Sequence, residues 1–325
     1  MRSLLVNRRS VLIAGACSLF APASRAQRLS ERTITIVVPF TPGTGIDILA
    51  RLLGEEIHKR WGQSVIIENK PGASGNIGTQ QVARAEPDGH TLLMTVNTFV
   101  MNASLFKSLP YDPQKSFAPI IEVATGSLAL VVHPAIAATT VQAFVADAKA
   151  RPDQINYASP GRGTPQHLAM ELLKLTAGIS LRHVSYSGSA GAVRDLVGGH
   201  VSAMFLPLHT ALPLVADNQI RLLAVGGSGR TALAPEVQTL SEQGVSGFDV
   251  ALWYGLLAPA GTSTEIIARY NQVLNDILVQ PSIRDALTKQ GLQTGGGPSR
   301  QLADLIAKDQ PRWSKVVRDA GITPE

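Results

Sequence analysis

Three stretches of this 325-residue chain gather residue types that can hold an anion. In "VVPFTPGTGIDILARLL" a β-branched run breaks at Phe40-Thr41-Pro42-Gly43-Thr44-Gly45 and passes into a helix-like pattern. "YASPGRGTPQHLAMELL" follows the same plan through Ser159, Gly161, Arg162, Gly163 and Thr164. "ENKPGASGNIGTQQVARA" sets Gly72, Gly75 and Gly78 beside Ala73, Ser74 and Asn76. A helix N-terminus carries unpaired N–H groups and a partial positive charge, so a glycine-rich strand-to-helix corner is an anion cradle. Glycines at 43, 45, 161 and 163 would equally serve plain tight turns; three such corners in one chain favour the cradle. Ile48 and Gln166 stand where a dinucleotide fingerprint needs its third glycine, and no G-K-[ST] phosphate loop occurs. The expected anion is a small carboxylate.

The side chains around these corners support binding better than catalysis. His167 falls one turn into its helix, where it either orients a ligand or packs the helix. Arg162 either pairs a carboxylate bidentately or points to solvent at the rim. Asp47 either complements the helix dipole or touches the ligand. The other six histidines lack metal-ligand spacing, Ser74 lacks a G-x-S-x-G elbow, and no nucleophile has a base in evident reach. The sequence therefore calls for no metal and no cofactor.

The elements that must position the corners alternate strand and helix. "TITIVV", "SVIIE" and "TLLMTV" are separated by helical periodicity over residues 46–61 and 77–85, which implies βαβ units and a mostly parallel sheet. Leu49, Leu52, Leu53, Ile57 and Trp61 recur at helical spacing, a face made to pack on that sheet. A second series starts near Pro134, with strands "INYAS", "LRHVSYS", "VSAMFL" and "IRLLAV" between helices. Two extended apolar segments, "ATGSLALVVHP" and "VALWYGLLAP", join the series, the second bringing Trp253 and Tyr254 either to a cleft wall or to a hinge. Residues 264–279, 282–290 and 300–320 read as helices that return to the first unit. The α/β chain thus divides into a first domain over 27–130 plus 254–325 and a second over 131–253.

Composition bounds the partners. The net charge of +5 belongs to the first 26 residues, "MRSLLVNRRSVLIAGACSLFAPASRA". Removing their four arginines from the 29 basic residues leaves 25 against 24 acidic ones, so nucleic acid is not an expected partner. That stretch has a charged start, an apolar run too short to span a bilayer, and small residues before Gln27, the plan of a signal peptide. "NRRSVLIAG" partly matches a twin-arginine signal, and Sec export fits as well. The only cysteine, Cys17, would be an acylated lipoprotein residue only with a poor lipobox; cleavage before Gln27 removes it, leaving no thiol for disulfides or thiolate metal sites. The expected destination is the periplasm.

With these motifs in view, the chain resembles the tripartite tricarboxylate transporter solute receptors, the TctC-like or Bug periplasmic binding proteins. "ITIVVPFTPGTGIDILARLL", "VIIENKPGASGNIGTQQVARAEPDGHTLLM", "YASPGRGTPQHLAMELL", "HVSYSGSAGAVRDLVGGHVSAMF", "IRLLAVGGSGR" and "WYGLLAPAGT" carry the likeness in family order. It implies a two-domain Venus-flytrap fold of type II kind that closes on one small carboxylate and delivers it to a membrane permease. It also implies a site with Phe40, Thr41, Pro42, Gly43 and Gly45 on one wall, Ala73, Ser74, Gly75 and Asn76 beside them, and Ser159, Gly163, Thr164, His167 and Tyr186 opposite. Three positions depart from the pattern: Thr44 replaces a glycine and could narrow the pocket, while Ser202 and Leu206 replace acids. Leu206, read as facing the ligand, implies a less polar one than an amino acid.

The expectation is a monomeric, exported receptor that is not an enzyme. A sensor subunit for a signalling partner and an enzyme using Arg162 with His167 are the rival readings.

Overall fold

The computed structural model describes residues 32–324, so the signal-peptide reading and Cys17 lie outside the described residues. Its strands and helices are β1 (Ile34–Val38), α1 (Gly45–Trp61), β2 (Val65–Asn69), α2 (Asn76–Ala83), β3 (Thr91–Val96) and α3 (Thr98–Leu105). The long β4 (Phe117–Val132) leads to α4 (Val141–Ala150), β5 (Asn156–Ser159), α5 (Pro165–Ala177), β6 (Arg182–Ser185), α6 (Ser189–Val197), β7 (Ala203–Pro207), α7 (Leu208–Ala216) and β8 (Arg221–Val225). The chain returns through β9 (Ala251–Pro259), α8 (Thr264–Leu278), α9 (Pro281–Lys289), β10 (Leu292–Thr294) and α10 (Ser299–Asp319).

The sheet is mixed, with parallel strands at its two ends and antiparallel ones at the junction. β1 pairs in parallel with β2 and β3, and β5 with β6 and β7. Helices cover both faces of such strands, which explains why Ile34, Ile36, Val37 and Val38 are all fully buried, with only Thr35 between them partly exposed. At the junction β4 runs antiparallel to β9 over Phe117 to Ser127, then to β7 and β8 over Leu128 to Val132. One strand therefore belongs to both halves of the sheet. Register shifts in β4 between Pro119 and Ile121 and between Glu122 and Ala124 add local twist there.

The second connection is shorter than the first. Val250 donates to the Gly226 carbonyl at 2.5 Å and Gly226 to Leu128 at 2.7 Å, so the return to β9 passes beside the crossing strand. Trp253, fully buried, donates its indole N–H to Asp309 of α10 at 2.8 Å, which makes it a brace of this junction.

Packing follows the expected faces. α1 buries Ile46, Leu49, Ala50, Leu53, Ile57 and Trp61 against the first half of the sheet, with Tyr270 of α8 tilted on Trp61 at 4.9 Å. Each large side chain so buried contributes about 1.5–3 kcal/mol. α8 and α9 join the same core. α10 departs from the expectation of packing on the first unit alone: it lies against α3 and β4 and also against α5 of the second series.

Candidate functional site

All the corners follow the C-terminal ends of parallel strands, where open α/β sheets place their ligands. In the first, Gly43 takes φ +80° and donates its N–H to Asp47 Oδ2 at 2.9 Å. Asp47 is buried on the first turn of α1; Asn69 at the end of β2 donates to its Oδ1 at 2.9 Å and Arg51 to its Oδ2 at 3.0 Å. The same Asn69 amide donates to the Phe40 carbonyl at 3.1 Å. Burial alone would raise the Asp47 pKa, but the donors from Arg51, Gly43 and Asn69 outweigh it and hold the carboxyl below the usual range. Asp47 thus ties the corner together from inside the protein. Thr44 has φ −75°, where any side chain fits, and its hydroxyl donates back to the Thr41 carbonyl at 2.9 Å instead of capping α1. The Gly45, Ile46 and Asp47 amides of the first turn have no acceptor inside the helix, as at any helix start. Thr41, Pro42, Gly43 and Gly45 are exposed.

The β2–α2 corner lies against the first. Gly72, Ala73, Ser74 and Gly75 all take positive φ, of which Ala73 at +46° and Ser74 at +55° pay a side-chain penalty of about 1–2 kcal/mol each. Backbone held this way marks a segment fixed by its surroundings. Asn102 of α3 donates to the Ser74 carbonyl at 3.0 Å and to Asn76 Oδ1 at 2.7 Å, and Tyr111 donates to that same oxygen at 2.8 Å. A Cβ on Gly75 would stand 3.4 Å from the Phe40 ring, so the two corners share a wall.

The β5–α5 corner is built on a stack. Gly163, at φ +77°, donates its N–H to His167 Nδ1 at 3.0 Å, which fixes that nitrogen as an acceptor and the imidazole as neutral. His167 stacks on His183 at 4.2 Å between ring centres, and His183 on Tyr157 at 4.8 Å. Burial, with His183, Arg162 and Lys174 nearby, pushes the His167 pKa down to about 3. Glu171 accepts from Tyr157 and from Lys174, the latter at 2.8 Å. Ser159 is fully buried; its hydroxyl lies 2.7 Å from His183 Nε2 and donates to the Gly161 carbonyl at 3.0 Å. Tyr186 donates its N–H to the Ser159 carbonyl at 3.0 Å and its hydroxyl to Asp195 at 2.7 Å.

The structure brings the two sides together at one place. Ser74 from the first half and Arg162 and Gly163 from the second line a cavity of about 20 Å³ with Leu105, Phe106, Ile322 and Thr323. A Cβ on Gly163 would fall 2.8 Å from Leu105 Cδ1, so glycine is what permits this approach between halves. Arg162 is exposed and makes no ion pair or side-chain hydrogen bond found among the described residues. Ser159 and His167 lie beneath the corner, buried, while Arg162 is exposed.

Leu206 resolves differently from its sequence reading, and Ser202 finds a structural partner. Leu206 sits in β7 opposite Ala129, fully buried among Val131, Met204 and Leu208, so it faces the core and says nothing about ligand polarity. Ser202 bonds Asn156 Oδ1 through both its N–H and its hydroxyl, at 2.8 Å each, at the start of β7 away from the corners. The sequence reading also missed Leu105, Phe106, Ile322 and Thr323. Asn69 was visible in "ENKPG", directly before its loop; Ile322 carried no signal, lying far along the chain from every corner.

Comparison with known proteins identifies the family. Residues 49–322 match the model of the tripartite tricarboxylate transporter family receptor, TctC. A protein from a tcbD–tcbE intergenic region of Pseudomonas sp. (strain P51) is 35% identical, covering 96% of this chain and 94% of its own. BugT of Bordetella pertussis is 33% identical, over 93% of each. Among solved structures, an R. palustris protein with adipate is 34% identical with a TM-score of 0.79, covering 90% of this chain and 99% of its own. MatC from Rhodopseudomonas palustris with bound malate is 32% identical with a TM-score of 0.75, covering 88% and 99%. The chain belongs to the TctC family of periplasmic solute-binding receptors.

Proposed function

We propose that this receptor captures a small organic carboxylate between its two halves and delivers it to a tripartite tricarboxylate-type permease. The observation that carries the reading is the meeting of Ser74, Arg162 and Gly163, three residues from opposed glycine corners, at one cavity. The open first turn of α1 supplies amide donors, a helix end worth about 0.3–1 kcal/mol and more when buried. Arg162 supplies a fork for a carboxylate. Ser159 and Tyr186 act on the ligand through the shape of the second corner, since their hydroxyls bond their neighbours, and His167 shapes it through Nδ1, which accepts from Gly163. Residues 27–130 with 254–325 form one lobe and 131–253 the other, hinged where β4 and β9 cross. Ligand favours the closed lobes by its extra affinity for them. Adipate and malate, bound by the two R. palustris relatives, set the ligand class tested first.

A thermal-shift screen of the mature protein, from Gln27, tests this against mono-, di- and tricarboxylates, aromatic acids, amino acids and nucleotides. A ligand that binds only the folded state raises the melting point. A rise confined to one carboxylate class is expected; a rise with nucleotides or amino acids alone would overturn the reading.

A further inference from the structure

One wall of the cleft comes from none of the corners. α10 lies across both halves, against α3 and β4 on one side and α5 on the other. Its hydrogen bonds run to the first half and the junction. Asp309 accepts from Trp253 at 2.8 Å, Gln310 from Gln114 at 2.8 Å, Ser314 lies 2.5 Å from Ser104, and Arg312 reaches the Asp249 carbonyl just before β9. The contact of α10 with α5 is apolar: Trp313, Val316, Val317 and Ile322 share one buried cluster with Leu168, Ala169 and Leu173, a cluster that also holds Phe99, Val100 and Leu105 of the first half. Gln114 and Ser104 hold α10 to the first half, and Trp253, paired with Thr125 of β4, and Asp249 hold it to the crossing itself, whereas non-directional apolar contact lets α5 slide.

The end of α10 is itself fixed. Gly321, at φ +65°, donates to the Arg318 carbonyl at 3.0 Å and Ile322 to the Val317 carbonyl at 3.0 Å, the paired bonds of a Schellman stop. Ile322 then packs beside Val317 in the core, as that motif favours. The following Thr323 is exposed and lines the cavity with Ser74, Arg162 and Gly163.

We infer that Ile322 and Thr323 travel with the first half and form the edge against which the second corner closes. They then govern how firmly the cleft shuts and how long it retains its ligand. This rests on the reading of the cleft as the ligand site. The buried Ile322 supplies the closing contact, and Thr323 limits the gap opposite Arg162.

The test is an interlobe distance measured by energy transfer between dyes on cysteines introduced at Glu55 of α1 and Lys149 of α4, both exposed. It is run without ligand and with adipate on the parent, Ile322→Ala and Thr323→Trp. The short-distance population without ligand is expected to fall at least threefold in both variants, and adipate to dissociate about tenfold faster. Populations and dissociation rates within twofold of the parent would overturn the inference. Should Ile322→Ala melt below the working temperature, Thr323→Trp decides alone, because Thr323 is exposed. If the parent ignores adipate, the choice of ligand class fails, while the ligand-free distances still decide the role of this edge.

Discussion

The β1–α1 and β5–α5 corners share a backbone plan and put it to different use. Each has a glycine near φ +80° followed by a threonine that precedes the helix, and each glycine donates its N–H to the side chain four residues on. In the first corner that side chain is the carboxylate of Asp47, in the second the neutral imidazole of His167. The first helix start is left open, because the Thr44 hydroxyl turns back to Thr41. The second is closed: the His167 N–H reaches the Thr164 hydroxyl at 3.4 Å, and Pro165 at the first helical position has no N–H to offer. The first corner is therefore rich in free donors, and the second is a shaped wall whose positive charge comes from Arg162. Similar backbone traces do not make equivalent anion sites; what the neighbouring side chains leave unpaired does.

The sharpest way to break the pairing is to add one methyl group to each glycine. Both left-handed positions cost alanine about 1 kcal/mol. At Gly43 a Cβ meets nothing within 4 Å, whereas at Gly163 it would press on Leu105 at 2.8 Å. Gly43→Ala is expected to lose about 1 kcal/mol and Gly163→Ala about 2–4 kcal/mol with the overpacking included. Gly163→Ala should also lose most of its ligand affinity, since it holds the halves apart. Denaturant unfolding and calorimetric titration check both; equal losses would mean that the Leu105 contact does not matter.

Removing the carboxylate comes next in size. Asp47→Ala strands the Gly43 amide and the Asn69 side chain, and Arg51, about half exposed, turns to solvent. Hydrogen bonds to a charged group contribute about 1.5–3 kcal/mol, and the Phe40 to Gly45 loop should exchange its amide hydrogens faster. Protection unchanged in that loop would show that Asp47 does not order it.

Acid should separate the corners. His167 has its pKa lowered from 6.5 to about 3, so between those values the unfolded chain binds a proton that the folded chain refuses. Stability is then fully present above 6.5 and falls as the pH drops towards 3, by at most about 1.4 kcal/mol per pH unit. His183, also lowered by burial, adds in the same direction. Asp47, held below the usual carboxylate range, loses its contribution only as the pH falls through its folded value, in stronger acid. Melting temperatures from pH 7 to 4 should decline in the parent and decline less steeply in His167→Gln; identical slopes would remove His167 from the account.

The corners were legible because glycine, proline and threonine between a strand and a helix leave few other structures possible. β1 read clearly since four of its five residues are buried β-branched aliphatics. α3 did not, because Phe99, Val100, Met101, Asn102 and Leu105 are all buried and leave no polar face to set a period. The start of β4 was hidden by Pro119, which the strand accommodates at a register shift. Leu206 was misplaced because a family position was taken for a ligand contact without the strand alternation that turns it inward. The supports of the second corner, His183 and Glu171, lie on a different strand and one helical turn away, so only folding stacks them under Gly163.

The smallest expected effect tests the capping difference itself. Thr164→Ala removes an acceptor that satisfies the His167 N–H, and its hydroxyl also donates to the Gly161 carbonyl at 2.7 Å. A lost threonine cap costs about 1 kcal/mol. Thr44→Ala removes only the turn bond to Thr41 in an exposed loop, for a cost within about 0.5 kcal/mol. The two substitutions are chemically identical and sit at matching positions, so any inequality in unfolding free energy reports the caps. Equal small losses would mean that α5 too begins open. The second corner would then hold as many free donors as the first, and Arg162 would no longer be needed to explain its charge.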